Sequence, residues 1–141
     1  LILEEKFGKE LFTKNILDEQ NPYEAACALL GLDPIDELPF SNPKNARQEA
    51  ANAFIMLDII AEAIRDGVTL DYTPGNKQDK WWPWFNQYKP GSGFRFVGSD
   101  GGWASSNAIG GARFAIYSKE KSDEFGTKCL DIWNKFLNPN K

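Results

Sequence analysis

The residues best suited to chemistry in this chain are aromatic. Lys80-Trp81-Trp82-Pro83-Trp84-Phe85 places four rings in five consecutive positions, and Tyr88, Lys89, Phe94 and Arg95 follow at once. Exposed rings of this kind stack on nucleobases for about 1–3 kcal/mol each, and neighbouring cations hold the phosphates. Flat exposed tryptophans also form platforms for sugars. Lys80, Trp82, Trp84, Tyr88, Lys89 and Arg95 are therefore the candidate binding residues, together with Arg113. Arg95 and Arg113 fall on what read as neighbouring strands flanked by rings, where a guanidinium either stacks or meets an anion. The competing account is packing: an extended segment sends alternate side chains to opposite faces, so one set of rings enters the core and the other is partly exposed.

Other chemistry finds little support. The 141 residues include no histidine, the side chain used most often as general base, triad partner and transition-metal ligand. Cys27 and Cys129 belong to no Cys-x-x-Cys motif and fall on apolar sides of expected helices, as buried free thiols do. Gly98-Ser99-Asp100-Gly101-Gly102 and Gly110-Gly111 match no Walker pattern and read as hairpin turns. Asp33, Asp36 and Glu37 lack the glycine and terminal glutamate of an EF-hand loop. We assign no catalytic residue, metal or cofactor. A carboxylate-based hydrolase would need two carboxyl groups within about 10 Å of each other lining a cleft.

The elements that must carry these residues are legible in outline. Leu3, Phe7, Leu11 and Ile16 recur at near-helical spacing interrupted by Gly8, so residues 1–20 suggest a loosely attached helical arm. Asn21-Pro22-Tyr23-Glu24 is a helix start, with Asn21 as cap and Pro22 where no N–H is needed, and Gly31 is its stop. A second start at Asn42-Pro43 opens a long central helix, about residues 43–66, whose stripe runs through Ala50, Phe54, Leu57, Ala61 and Ile64 to Gly67. Beyond it the period becomes strand-like. Phe94 to Val97, Trp103 to Asn107 after an Asp100-Gly101 turn, and Arg113 to Tyr117 read as three antiparallel strands, with Trp81 to Phe85 as a fourth at the edge because Pro83 cannot donate to a ladder. Ser118 caps a last helix that carries Phe125, Cys129, Trp133 and Phe136. The expectation is a single α+β domain over residues 1–141: N-terminal helices and a three- to four-stranded antiparallel meander capped by a C-terminal helix.

Charge is uneven along the chain. Residues 1–73 hold 6 basic and 14 acidic side chains, residues 74–113 hold 5 and 2, and residues 114–141 hold 5 and 4, a net of −4 overall. A mildly basic middle could meet an anion, while the whole resists indiscriminate nucleic-acid binding. The longest apolar stretch, Ala53 to Ile64, is broken by Asp58 and Glu62 and is far shorter than the roughly 20 residues of a membrane span. With no basic, cleavable leader at Leu1-Ile2-Leu3-Glu4-Glu5, the expected location is the cytoplasm.

The run Lys80 to Phe85, then Ser92-Gly93-Phe94-Arg95-Phe96, Ile109-Gly110-Gly111-Ala112-Arg113-Phe114 and Ser118-Lys119-Glu120 resembles small phage- and prophage-borne proteins of gut bacteria. In those, a K-Y-Y-P-W-F-like block precedes a G-F-x-F strand, a V-G-S-R-L-like strand and a helix opened by S-R-E. The segment Tyr23 to Pro34 is similar to that family's E-x-A-C-x-x-L-G-I-x-P connector. Tryptophans replace the tyrosines of the block, and the stretch from Trp103 to Ile109 departs from the pattern. The resemblance implies provenance rather than activity: a cytoplasmic accessory protein of a mobile element in a bacterial host. The leading expectation is a non-enzymatic accessory or binding protein whose partner the residues leave open between a protein and single-stranded nucleic acid. The alternatives are a single-stranded nucleic-acid binder using Trp81 to Phe96, and a carbohydrate-binding module.

Overall fold

The structure, a computed structural model, describes residues 15–102 and 111–139. Most of the expected first helix and the expected strand from Trp103 to Asn107 lie outside them. The described chain opens with a 3₁₀ turn, Ile16–Asp18, whose cap Asn15 accepts from the Leu17 N–H and donates to Glu124. Helix α1, Pro22–Leu30, starts and stops as its sequence dictates: Asn21 Oδ1 accepts from the Glu24 N–H at 3.1 Å, and Gly31 closes it at φ 73°. Helix α2, Ala46–Arg65, begins three residues later than the Asn42-Pro43 signal. Asn45 is the true cap, because its Oδ1 takes the Gln48 N–H at 2.9 Å while Gln48 Oε1 returns to the Lys44 N–H at 2.8 Å.

The fold is α+β, and among the described residues its sheet is a two-stranded antiparallel hairpin rather than a meander of three or four. Strand β1, Lys80–Gln87, pairs with β2, Phe94–Gly102. The turn between them is the Lys89-Pro90-Gly91-Ser92 stretch, where the Ser92 N–H donates to the Lys89 carbonyl and Gly91 sits at φ 83°. Asp100-Gly101 is not a turn. It continues β2 opposite Trp82 and Trp81, and glycine is needed there because a Cβ on Gly101 would lie 2.5 Å from the Trp81 ring. A bulge follows Trp84: Gly98 faces Trp84 and Phe96 faces Phe85, so Val97 is the extra residue.

The expected strand from Arg113 to Tyr117 is a 3₁₀ turn, Ala112–Phe114, followed by an isolated bridge between Ile116 and Trp81. Its backbone is otherwise occupied. Phe114 and Ala115 N–H groups close the turn onto Gly111 and Ala112, and Arg65 Nη1 takes the Arg113 and Ala115 carbonyls at 2.9 and 3.2 Å. The single C-terminal helix is likewise two, α3 over Lys119–Lys128 and α4 over Leu130–Leu137. At the break, the Phe125 carbonyl, which an unbroken helix would pair with the Cys129 N–H, accepts from Trp133 Nε1 at 3.1 Å.

These elements share one apolar core. Trp133 stands amid the rings of Phe85, Phe114, Phe125 and Phe136 at centroid distances of 5.0, 5.2, 5.1 and 6.4 Å. Helix α3 crosses the hairpin at Gly126, whose missing side chain admits Phe96 and Pro83. On the other side, α2 supplies Leu57, Ile60 and Ala61 to the core.

Candidate functional site

The hairpin and α4, with Phe54 of α2 and the 3₁₀ turn, enclose a groove of about 790 Å³. Its walls are Phe54, Trp82, Trp84, Phe94, Phe114, Phe136 and Leu137, over a floor that includes Phe85 and Trp133. Trp82 and Trp84 both line it, with differing degrees of cover. Trp82 is half-buried and its Nε1–H donates to the Gly111 carbonyl at 3.0 Å, which fixes the plane of the ring. Trp84 is 55% exposed, because the residue facing it across the ladder is Gly98, which has no side chain to cover the indole. Rings from both alternating sets therefore reach the groove: Trp82 and Trp84 at its lip, Phe85 at its floor.

The structure separates the remaining candidates. Lys80 is fully buried, with Nζ donating to Asn76 Oδ1 at 2.9 Å and the Gln78 carbonyl at 3.3 Å, 5.0 Å over the Tyr72 ring. It holds the loop before β1 in place and presents no charge to a ligand. Tyr88, 78% exposed, carries the Arg95 guanidinium at 3.7 Å from its ring centre, while Arg95 Nε donates to Asn86 Oδ1 at 2.7 Å. Lys89 is exposed in the turn beside them. Arg113 is not on a strand next to Arg95. It lies on the 3₁₀ turn and meets Asp58 of α2 at 3.3 Å. Two candidates thus line the groove, three cluster at the hairpin tip, and two are engaged elsewhere.

The groove also uses residues that the sequence did not single out. Phe54 was visible as part of the α2 stripe and Phe136 as part of the α4 face, but nothing local shows that both stop short of full burial. Asp100 reads in the sequence as a turn residue, whereas in the structure it lines the groove opposite Trp82, with Oδ1 accepting from the Gly101 N–H at 2.9 Å.

The other reactive side chains are quiet. Burial pushes the Cys129 thiol up to about 12 and raises Cys27, so neither is a thiolate near neutral pH. Burial also raises the Tyr23 phenol, whose hydroxyl donates to the Pro34 carbonyl. Among the described residues no group of three Cys, Asp or Glu side chains is placed to hold a metal ion, and no helix is long and apolar enough to cross a membrane. No family model matches this chain, and no curated protein or solved structure matches it either.

Proposed function

We propose that this is a non-enzymatic binding protein, an accessory of phage or mobile-element origin acting in the bacterial cytoplasm, that takes its ligand in the aromatic groove. The observation that carries the reading is Trp84. Trp84 is 55% exposed at the lip of a groove lined mostly by other rings, and a contiguous exposed apolar patch of this kind marks an interaction site. The groove volume of about 790 Å³ falls in the range of small-molecule and cofactor clefts. The absence of histidine and the buried thiols support binding over catalysis.

The nucleic-acid alternative is weaker because its cations are occupied. Lys80 is sealed in the interior, Arg113 is paired with Asp58, and Arg95 is held by Asn86 and Tyr88. Affinity for phosphates grows with the number of free positive charges presented together, and too few are.

The test is a fragment screen followed through the indole N–H resonances of all five tryptophans. Hits that shift Trp82 and Trp84 while leaving Trp81 unmoved are expected. Hits scattered over the surface, or none at the groove, would overturn the reading. Oligodeoxythymidylate at low salt should leave both resonances in place; shifts with a steep salt dependence would instead favour the nucleic-acid alternative.

A further inference from the structure

The groove has one feature that a purely apolar site would not need. Among its described lining residues there is a single charged side chain, the carboxylate of Asp100, and there is no lysine or arginine. Resting on the reading of the groove as a ligand site, we propose that its ligand is a soluble organic cation, an alkylated ammonium held between the faces of Trp82 and Trp84 and the carboxylate of Asp100.

Placement, preorganisation and exclusion all favour this chemistry. Asp100 is the cross-strand partner of Trp82, so their Cβ atoms are about 4.5–5.5 Å apart. Gly98 opposite Trp84 leaves the space over the second indole open. A cation entering there reaches the two lining indoles, whose quadrupoles attract positive charge, and a carboxylate on the facing strand. The second is preorganisation. The Trp82 ring is tied to the Gly111 carbonyl and the Asp100 carboxylate to the Gly101 N–H, so little ordering remains to be done on binding.

The third is exclusion. An anion would face Asp100 with no basic side chain lining the groove to offset it. A neutral apolar ligand seated against Asp100 would displace part of its water and supply no charge in return. A primary alkylammonium has three N–H donors to satisfy and finds one side-chain carboxylate. An ammonium clad in methyl or ethyl groups has no donors, spreads its charge over an apolar surface and suits walls made of rings.

The experiment compares choline and tetraethylammonium with dimethylbutanol, the neutral carbon isostere of choline, by calorimetry and by the Trp84 indole resonance. The cations should bind about tenfold more tightly than the isostere. Asp100→Asn should remove most of that preference and Trp84→Ala most of the binding. Both side chains are exposed, so both variants should remain folded, which their melting curves check. Equal binding of cation and isostere, or no binding of the cations while neutral fragments still occupy the groove, overturns the inference and leaves the groove as a ligand site. A groove that takes no fragment at all overturns the underlying reading instead. Binding seen only with phosphatidylcholine vesicles, and lost in Trp84→Ala, would overturn the soluble source.

Discussion

Gly126 shows how one residue fixes the approach of a helix to the hairpin. It lies inside α3, where alanine is favoured over glycine by about 1 kcal/mol, so Gly126→Ala should stabilise the helix in isolation. In the folded chain, a Cβ there would lie 2.3 Å from Phe96 Cδ1 and 2.9 Å from Pro83 Cβ. Both are packed groups with little room to retreat, since Phe96 is braced by Phe85 at 6.1 Å and Pro83 lies within the ladder. Overpacking of this kind costs about 1–3 kcal/mol, and displacement of α3 would propagate to Trp133, whose indole is bonded to the Phe125 carbonyl one residue away. The clash should therefore outweigh the propensity. Urea denaturation of Gly126→Ala is expected to show a loss of about 1–2 kcal/mol net. A more stable variant would mean that α3 stands further from the hairpin than described.

Between elements, the joints are made by two asparagines that act as pieces of strand. On α4, Asn134 accepts from the Phe94 N–H at 2.6 Å and donates to the Phe94 carbonyl at 3.0 Å, satisfying the first residue of β2 from the helix. On α2, Asn52 does the same for Phe40 at 3.1 and 2.8 Å and so anchors the connector. Neither role is legible in the sequence, where each is an ordinary polar residue in a helical run; the partner lies 40 positions away for one and 12 for the other. By contrast, the caps of α1 were readable, because a cap bonds within three residues of itself. Asn134→Ala leaves both polar groups of Phe94 short of a partner, at about 1–3 kcal/mol if they stay buried. Because Phe94 lines the groove, the loss should also be local. Hydrogen exchange at the Phe94 amide is expected to accelerate more than exchange in the middle of α2. Uniform acceleration across the chain would show that the clamp contributes only to global stability.

At the scale of the molecule, what the sequence revealed stops where contacts become long-range. The α+β class, the two early helices and the aromatic strand follow from periodicity and punctuation, whereas the sealing of Lys80, the course of β2 through Asp100-Gly101 and the groove itself depend on which surfaces meet. Burial of the thiols is another product of that assembly, and it makes a prediction about pH. Cys129 has its thiol pushed from an ordinary 9.0 up to about 12 by burial, and Cys27 and Tyr23 are raised in the same direction, again chiefly by burial. A raised acid stays protonated in the native state while the unfolded chain releases its proton, so above pH about 9 the native state binds more protons than the unfolded one. The sign is then fixed: this contribution to stability is intact below the unfolded value and declines as pH climbs from about 9 towards 12. Cys129 alone would contribute a slope of about 1.4 kcal/mol per pH unit across that window. Unfolding free energies measured by urea at intervals above pH 9 should therefore fall more steeply for the parent than for Cys129→Ala, even though the variant starts lower because of its lost side-chain volume. Parallel declines for the two proteins would mean that the Cys129 thiol, at the junction of α3 and α4, is reached by water in the native state.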